Sequence, residues 1–247
     1  MLVLLPPSES KWAGPARGAP VRLGALSAPE LTAAREHVLD ALVEVSARPD
    51  APAVLGAGAG LADVVRANTT LRTRPAAPAA RVYTGVLFDA LDLPSLRPAA
   101  ARRVLVVSAL WGLLRPRDRV PGYRLSMGTE LPGVGPLAPF WRPHLQRALQ
   151  PAGVVVDCRS AAYAAAWAPD AATAERTVAV RVLRDGRVVS HAAKHTRGLL
   201  ARHLLTRPGR VPRTPGTLLD AACEAFVAKL LEPARLGGTW TLEVEAP

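Results

Sequence analysis

The sequence predicts a single compact α/β domain over residues 1–247, in which helices flank a mixed (α+β) sheet. Continuous apolar runs, typical of buried strands, alternate with helical segments along the chain. Alternating apolar and polar residues on both sides of Asp185–Gly186 add an antiparallel hairpin. The chain has no internal repeat and no linker long enough to separate two domains.

The first elements predicted are a strand, a helix and a glycine-rich turn. Met1–Leu5 is apolar and reads as a buried strand. Ser27 and Glu30 have the spacing of a capping box, which predicts a helix from there to about Ala47. The stretch VLGAGAGLADVVRAN then predicts a turn that leads into a short helix.

The central and C-terminal elements follow from the same patterns. The apolar runs RRVLVVSAL and GVVVDC predict two strands, and Phe140–Leu149 predicts a helix between them. Two more helices are predicted over Lys194–Thr206 and Pro215–Glu232. The last predicted strand is GTWTLEVEA.

Composition limits the class of protein. No apolar run approaches the roughly 20 residues of a membrane span, and the N-terminus lacks the basic start of a signal peptide. Cys158 and Cys223 are too few for a disulfide framework. We therefore expect a reduced, cytoplasmic protein without a membrane partner.

The net charge of +11 favours a polyanionic partner or a phosphorylated substrate. The alternative is a merely basic surface in a protein whose genome writes arginine for lysine. Lys11, Lys194 and Lys229 are the only lysines among 31 basic residues. A desolvated lysine can act as a base or nucleophile, which arginine cannot, and Lys229 could simply extend along a helix surface.

The stretch VSALWGLLRPRDRVPGYRLSMG, residues 107–128, predicts an anion-binding loop beyond a strand end. Its prolines and glycines restrict the backbone. The alternative is an exposed basic loop with one Arg–Asp pair. The side chains that would bind an anion or stack on bases are Trp111, Arg115, Arg117, Arg119, Tyr123 and Arg124, with Asp118 as the acidic partner of an arginine.

Two further patterns could bind phosphate. Lys194 and Arg197 are three residues apart near a predicted helix start, where phosphate binds well. Gly56, Gly58 and Ala62 have the GxGxxxA spacing of helix-hairpin-helix turns, which hold DNA phosphates through main-chain N–H groups. An ordinary glycine turn before a helix explains the second pattern equally well.

Acid–base chemistry could come from Glu9, Asp118 and Asp157, which lie near strand ends, with Ser108, Ser160 or Tyr163 as partners. GxSxG, Walker and dinucleotide-binding fingerprints are absent from the sequence, so no cofactor is expected. His191 and His195 are four residues apart but lack an evident third ligand, and we expect no metal site and no direct iron site.

Taken in order, the motifs resemble the YaaA family of bacterial peroxide-stress proteins over nearly the whole chain. The segments that carry this resemblance are LPPSESK, VYTG at residues 82–85, SALWGLLRPRDRVPGYRLSMG, FW at 140–141, VVDCRSAAY and AKHTRGLLARHL. Two positions depart from the family pattern: Ser126 stands where glutamate is common, and DCRS carries the charged residues Asp157 and Arg159.

The resemblance implies one α/β domain with a positively charged cleft. It also implies survival under hydrogen peroxide, limitation of free intracellular iron, and binding of double-stranded DNA through a helix-hairpin-helix-like element. By motif position, the cleft residues implied are Lys11, Tyr83, Thr84, Ser108, Arg115, Asp118, Tyr123, Arg124, Lys194 and Arg197.

Three hypotheses of function follow. The first is a protective protein that holds DNA phosphate in a basic cleft. The second is an enzyme acting on a nucleotide or a damaged base, with Lys11 or Lys194 as nucleophile or base and Asp118 or Asp157 as acid or base. The third is a protein that binds a small phosphorylated metabolite. In each, we expect the arginine loop to form one wall of the site and both lysines to lie opposite.

Overall fold

An eight-stranded mixed sheet forms the centre of the computed structural model, which describes residues 1–189 and 191–247. The strands of the chain are β1 Leu2–Leu5, β2 Ala77–Pro78, β3 Val104–Ser108, β4 Gly112–Leu114, β5 Arg119–Val120, β6 Glu130–Leu131, β7 Gly135–Pro136, β8 Val155–Asp157, β9 Thr177–Arg184, β10 Arg187–Val188, β11 Ala228–Leu231 and β12 Trp240–Glu245.

Helices of very different length pack around the sheet. They are α1 Thr32–Ser46, α2 Ala51–Val54, α3 Ala62–Arg66, α4 Ala79–Val82, α5 Val86–Leu91, α6 Pro98–Ala101, α7 Leu137–Ala148, α8 Ala161–Ala164, α9 Ala171–Ala174, α10 His191–Thr206 and α11 Pro215–Cys223. Single 3₁₀ turns occupy Leu23–Ala25, Pro29–Leu31, Ala59–Leu61, Ala67–Thr70 and Leu93–Ser95. Among the described residues, no helix combines the length and apolar character needed to cross a membrane.

The strand order is β11-β12-β9-β8-β1-β3-β4, with β10 paired to β9. Strands β12, β9, β8, β1 and β3 are parallel, whereas β4, β10 and β11 run antiparallel to their neighbours. This arrangement confirms the mixed α/β class. Because β1 lies between β3 and β8, the chain segments after Leu5, Ser108 and Asp157 leave the sheet at one edge, which we call the carboxyl edge.

The core explains why the apolar runs form strands. All five residues of β3 are buried, and Val3, Leu4 and Leu5 of β1 have no exposed surface. Strands covered on both faces need apolar side chains at every position, and the sequence supplies them. The predicted strands at residues 1–5, 104–110 and 153–158 are therefore confirmed by β1, β3 and β8.

The first long helix begins later than predicted and without the capping box. A 3₁₀ turn at Pro29–Leu31 precedes α1, and no side chain caps the helix N-terminus. The Ser27 hydroxyl instead donates a hydrogen bond of 2.9 Å to the Asp118 carboxylate. The Ser27 side chain, which the local pattern predicts as a helix cap, therefore bonds with a residue 91 positions further along the chain.

Two other predicted elements need correction. The helix expected over Pro215–Glu232 ends at Cys223, and Lys229 lies in β11, which pairs with β12. The stretch after Leu110 is predicted as a loop, but residues 112–114 form β4, which is buried and pairs with β3. The helix expected to begin at Lys194 begins at His191.

Candidate functional site

The segment that follows β1 crosses the carboxyl edge of the sheet and carries Lys11. Lys11 forms an isolated β-bridge with Tyr83, and the Trp12 N–H donates to the Val82 carbonyl at 2.9 Å. Gly122 also lies against this segment, where a Cβ atom would be only 2.4 Å from the Trp12 carbonyl oxygen. These backbone contacts therefore fix the position of Lys11.

The Lys11 ammonium lies over two tyrosine rings. Its Nζ is 4.4 Å from the centre of the Tyr123 ring and 5.9 Å from that of Tyr83. It also donates a hydrogen bond of 2.6 Å to the Ser8 carbonyl. Ring faces attract a cation, but they replace only part of the hydration that burial removes.

The two tyrosines continue into a buried chain of hydroxyl groups. The Tyr83 and Tyr123 hydroxyls are 3.2 Å apart, and the Tyr123 hydroxyl is 2.7 Å from Ser108 Oγ. Ser108 Oγ in turn accepts the N–H groups of Leu110 and Trp111, which shape the turn after β3. Burial raises the pKa of both tyrosines well above the usual value, so both stay protonated at neutral pH.

The protonation of Lys11 differs from that of an ordinary lysine. Burial, together with the nearby Arg124 guanidinium, lowers the pKa of Lys11 to about 7, while the Glu9 carboxylate acts in the opposite direction. Lys11 therefore changes its charge near neutral pH. A neutral amine can act as a nucleophile or a base, whereas the protonated form can hold an anion.

Two further cations reach this region through Glu9. Arg124 Nη1 donates to the Glu9 carbonyl at 3.3 Å, and Lys194 Nζ is 3.2 Å from Glu9 Oε1. Glu9 and Lys194 are both exposed, so this ion pair contributes little to stability and can open for a ligand. Asn68 fixes the Arg124 backbone, accepting its N–H and donating to its carbonyl, each at 2.9 Å.

These contacts define what we call the Lys11 cluster. Its members are Lys11, Tyr83, Ser108, Tyr123, Arg124 and Lys194. Thr84 lies beside the cluster, where its N–H donates to Ser8 Oγ at 3.1 Å and its hydroxyl donates to the Ser10 carbonyl at 3.3 Å. The structure thus brings together seven of the residues predicted from the sequence, Thr84 included.

Arg115 and Asp118 do not join the cluster, which corrects the expectation of a single arginine wall. Because β4 runs antiparallel to β3, the chain after Leu114 reaches the opposite edge of the sheet. There the Arg115 side chain donates to the Arg102 carbonyl at 2.6 Å. The buried Asp118 carboxylate accepts hydrogen bonds from the Arg115 N–H at 2.7 Å and from Ser27. Its contacts therefore hold two parts of the chain together.

Asp157 and Arg197 are engaged elsewhere. Arg159 binds the Asp157 carboxylate with two side-chain nitrogens at 2.9 and 2.7 Å, and this guanidinium is almost fully buried. Arg197 donates to the Val180 carbonyl in β9 at 3.0 Å, so it faces the sheet while Lys194 faces solvent. Ser160 is exposed at the carboxyl edge of the sheet, immediately before α8.

Trp111 and Tyr123 cannot offer stacking surface to bases in this conformation, contrary to the prediction. Both side chains are buried, and they pack edge to face with ring centres 6.0 Å apart. Trp12 is an exposed aromatic residue near the cluster and was not among the residues predicted from the sequence. The signal was present, because Trp12 directly follows one of the three lysines.

The glycine-rich motif forms the turn between two short helices. Gly56 and Gly58 are exposed between α2 and α3, and Ala62 begins α3. The 3₁₀ turn at Ala67–Thr70 follows and contains Asn68, which holds the Arg124 backbone. The turn is therefore connected to the Lys11 cluster by a short stretch of chain. Among the described residues, no three His, Cys, Asp or Glu side chains are grouped as metal ligands would be.

Known proteins are similar to this one over most of the chain. A family model described as "Peroxide stress protein YaaA" matches residues 1–226. A UPF0246 protein of Streptomyces coelicolor is 49% identical over 99% of this chain and 98% of its own length. UPF0246 proteins of Corynebacterium efficiens and Corynebacterium glutamicum are 44% and 38% identical, over 90% and 83% of this chain and 91% and 84% of their own lengths.

Proposed function

Because the chain belongs to the peroxide stress protein YaaA family, we propose that it binds a phosphate-bearing ligand, DNA or a nucleotide, at the Lys11 cluster and thereby limits iron-driven oxidative damage. The convergence of Lys11, Arg124 and Lys194 at the carboxyl edge of the sheet carries this proposal. Ligands of open α/β sheets bind beyond the carboxyl ends of the strands. In this proposal the protein does not bind iron itself. Its effect on iron-driven damage results from binding the phosphate-bearing ligand.

The charges of the cluster suit a phosphate group. Arg124 offers guanidinium donors, and Lys194 is released from Glu9 at small cost because that ion pair is exposed. An anion beside Lys11 would favour its protonated form, so Lys11 would add a third positive charge on binding. The net charge of +11 adds long-range attraction for a polyanion such as DNA.

A second candidate function is enzymatic and is favoured by the state of Lys11. A lysine with a pKa of about 7 is poised for nucleophilic attack or proton abstraction, which simple phosphate binding does not require. Its Nζ is held over the Tyr123 ring by the fixed segment after β1. The reaction would then be a lysine-dependent step on a nucleotide or a damaged base.

One experiment tests both candidates. Binding to a fluorescent DNA duplex is measured across a salt series for wild type, Lys11→Arg, Arg124→Ala and Arg115→Ala, and the DNA is then examined for strand or base loss. We expect the logarithm of the wild-type affinity to fall linearly with the logarithm of the salt concentration, and Arg124→Ala to weaken binding. Arg115→Ala is the matched control, since Arg115 lies at the opposite edge of the sheet.

The outcomes separate the functions. Intact DNA with wild type and with Lys11→Arg supports the protective binder. Damage caused by wild type and lost in Lys11→Arg supports the lysine-dependent enzyme. Equal weakening by Arg115→Ala and Arg124→Ala would contradict the Lys11 cluster as the binding site.

A further inference from the structure

A groove lies next to the Lys11 cluster. Tyr83 belongs to both the groove and the cluster, and Thr84 lines the groove and lies beside the cluster. The groove has a volume of about 450 Å³. Its lining includes Trp12, Arg81, Tyr83, Thr84, Asp89 and Asp92. Tyr83 also lies under the Lys11 ammonium, and Thr84 binds the segment that carries Lys11. The groove and the cluster are therefore adjacent parts of one surface.

The backbone places a cation and an aromatic ring next to each other in sequence. Lys11 and Trp12 belong to a segment that bridges to the chain at Val82–Tyr83. Side chains of consecutive residues in an extended segment point to opposite sides. Lys11 accordingly turns towards the ring of Tyr123, while the indole of Trp12 lines the groove.

The exposure of Trp12 points to an aromatic ligand. Within residues 1–189 and 191–247, Trp12 is the only aromatic side chain among the strongly exposed large apolar ones, with 39% of its surface accessible. An indole at the border of a groove is a stacking surface for a planar base, and such stacking is tolerant of base identity.

The carboxylates of the groove favour hydrogen-bond donors over anions. Asp89 is exposed, and no hydrogen bond or ion pair to its side chain is present in the described part of the chain. Asp92 is 3.4 Å from Arg202, an exposed and weak pair. A carboxylate accepts well from the exocyclic amino group of a base such as cytosine, and it repels phosphate.

From these features we infer that the groove binds the base of a nucleotide whose base carries an exocyclic amino group. This inference rests on the proposed function, because the phosphate of the same nucleotide lies at the Lys11 cluster. A base within a duplex is stacked between its neighbours and cannot lie flat on the Trp12 indole, so the ligand is a free nucleotide or an unpaired nucleotide of a strand.

The experiment compares four ligands by isothermal titration calorimetry: CMP, UMP, cytidine and ribose 5-phosphate. CMP and UMP have nearly the same shape; the 4-amino group of CMP is a carbonyl oxygen in UMP, and N3 carries a hydrogen only in UMP. The proteins are wild type, Trp12→Leu, Trp12→Phe, Asp89→Asn and Arg124→Ala. Asp220→Asn, an exposed carboxylate on α11, is the matched control for the loss of charge.

For wild type we expect CMP to bind about tenfold or more tightly than ribose 5-phosphate, the range that stacking on an aromatic ring provides. Trp12→Leu should remove this advantage and leave ribose 5-phosphate binding unchanged, while Trp12→Phe should retain part of it. Asp89→Asn should reduce the preference for CMP over UMP, and Asp220→Asn should not.

Three results would overturn the inference: equal affinities of wild type for CMP and ribose 5-phosphate, equal affinities of wild type for CMP and UMP, or an unchanged CMP affinity in Trp12→Leu. Failure of the proposed phosphate site has a different signature. Cytidine would bind as tightly as CMP, Arg124→Ala would have no effect, and Trp12→Leu would weaken both ligands.

Discussion

At the scale of single residues, Asp118 illustrates how one buried carboxylate can hold two distant parts of the chain. Its oxygens accept the Ser27 N–H at 3.0 Å, the Ser27 hydroxyl at 2.9 Å and the Arg115 N–H at 2.7 Å. Hydrogen bonds to a charged acceptor contribute about 1.5–3 kcal/mol each, and a buried N–H without a partner is costly.

Replacing Asp118 therefore tests a structural role against a catalytic one. We expect Asp118→Ala to lower the free energy of unfolding by about 3 kcal/mol, measured by urea denaturation. The control Asp220→Ala changes an exposed carboxylate and should stay within about 0.5 kcal/mol of wild type. A loss of ligand binding in Asp118→Ala without loss of stability would show that Asp118 belongs to the site instead.

At this scale Lys11 could be identified from the sequence, because lysine is scarce in an arginine-rich chain. Arg115 and Arg124 could not be told apart. Both arginines stand in one proline- and glycine-rich stretch, and only the antiparallel pairing of β4 with β3 shows that they lie at opposite edges. Trp12 could have been found only from its place after Lys11, because the exposure of a single aromatic residue leaves no periodic pattern.

At the scale of elements, Gly122 packs against the segment after β1 and thereby helps to set the distance between Lys11 and the tyrosine rings. A Cβ atom at Gly122 would meet the Trp12 carbonyl oxygen at 2.4 Å and the Ala13 Cα at 3.3 Å. Both contacts are with backbone, so relief requires that one of the two chain segments shifts.

We expect Gly122→Ala to lower the free energy of unfolding by about 1–3 kcal/mol, the usual cost of overpacking, and to weaken ligand binding at the Lys11 cluster. Denaturation and calorimetry on the same protein measure both effects. Gly128→Ala is the control, since a Cβ atom there would have no neighbour within 4 Å. Equal behaviour of the two variants would contradict the close packing.

The sequence predicted the elements whose pattern is set by burial on both faces. Strands β1, β3 and β8 were found from their apolar runs, and the hairpin from Asp185–Gly186. Strand β11 was mistaken for helix, because AFVAKLLE contains good helix formers and its pairing with β12 is a long-range effect. Strand β4 has only three residues, too few to show a period.

At the scale of the whole molecule, the strand order assembles the site. Strand β1 lies between β3 and β8, so the segments after Leu5 and Ser108 meet, and the long helix α10 brings Lys194 to the same edge. No local pattern encodes this order. The family resemblance predicted the set of cleft residues. The structure shows that some of them form the Lys11 cluster and that the others bond elsewhere.

The proposed anion-binding site depends on a Lys11 side chain that is partly neutral. NMR on protein labelled with ¹³C at lysine Cε can follow its titration, since the chain has three lysines and therefore three signals. Each signal is followed from pH 5 to pH 11, first alone and then with CMP, in wild type and in Lys11→Arg.

We predict that one signal titrates near pH 7 and is missing in Lys11→Arg, because burial lowers the pKa of Lys11. An anion stabilises the ammonium form, so CMP should move this midpoint to higher pH, and CMP affinity should fall as the pH rises above about 7. Three signals that all titrate near the ordinary lysine value of about 10.4, or a midpoint that CMP leaves unchanged, would contradict the account.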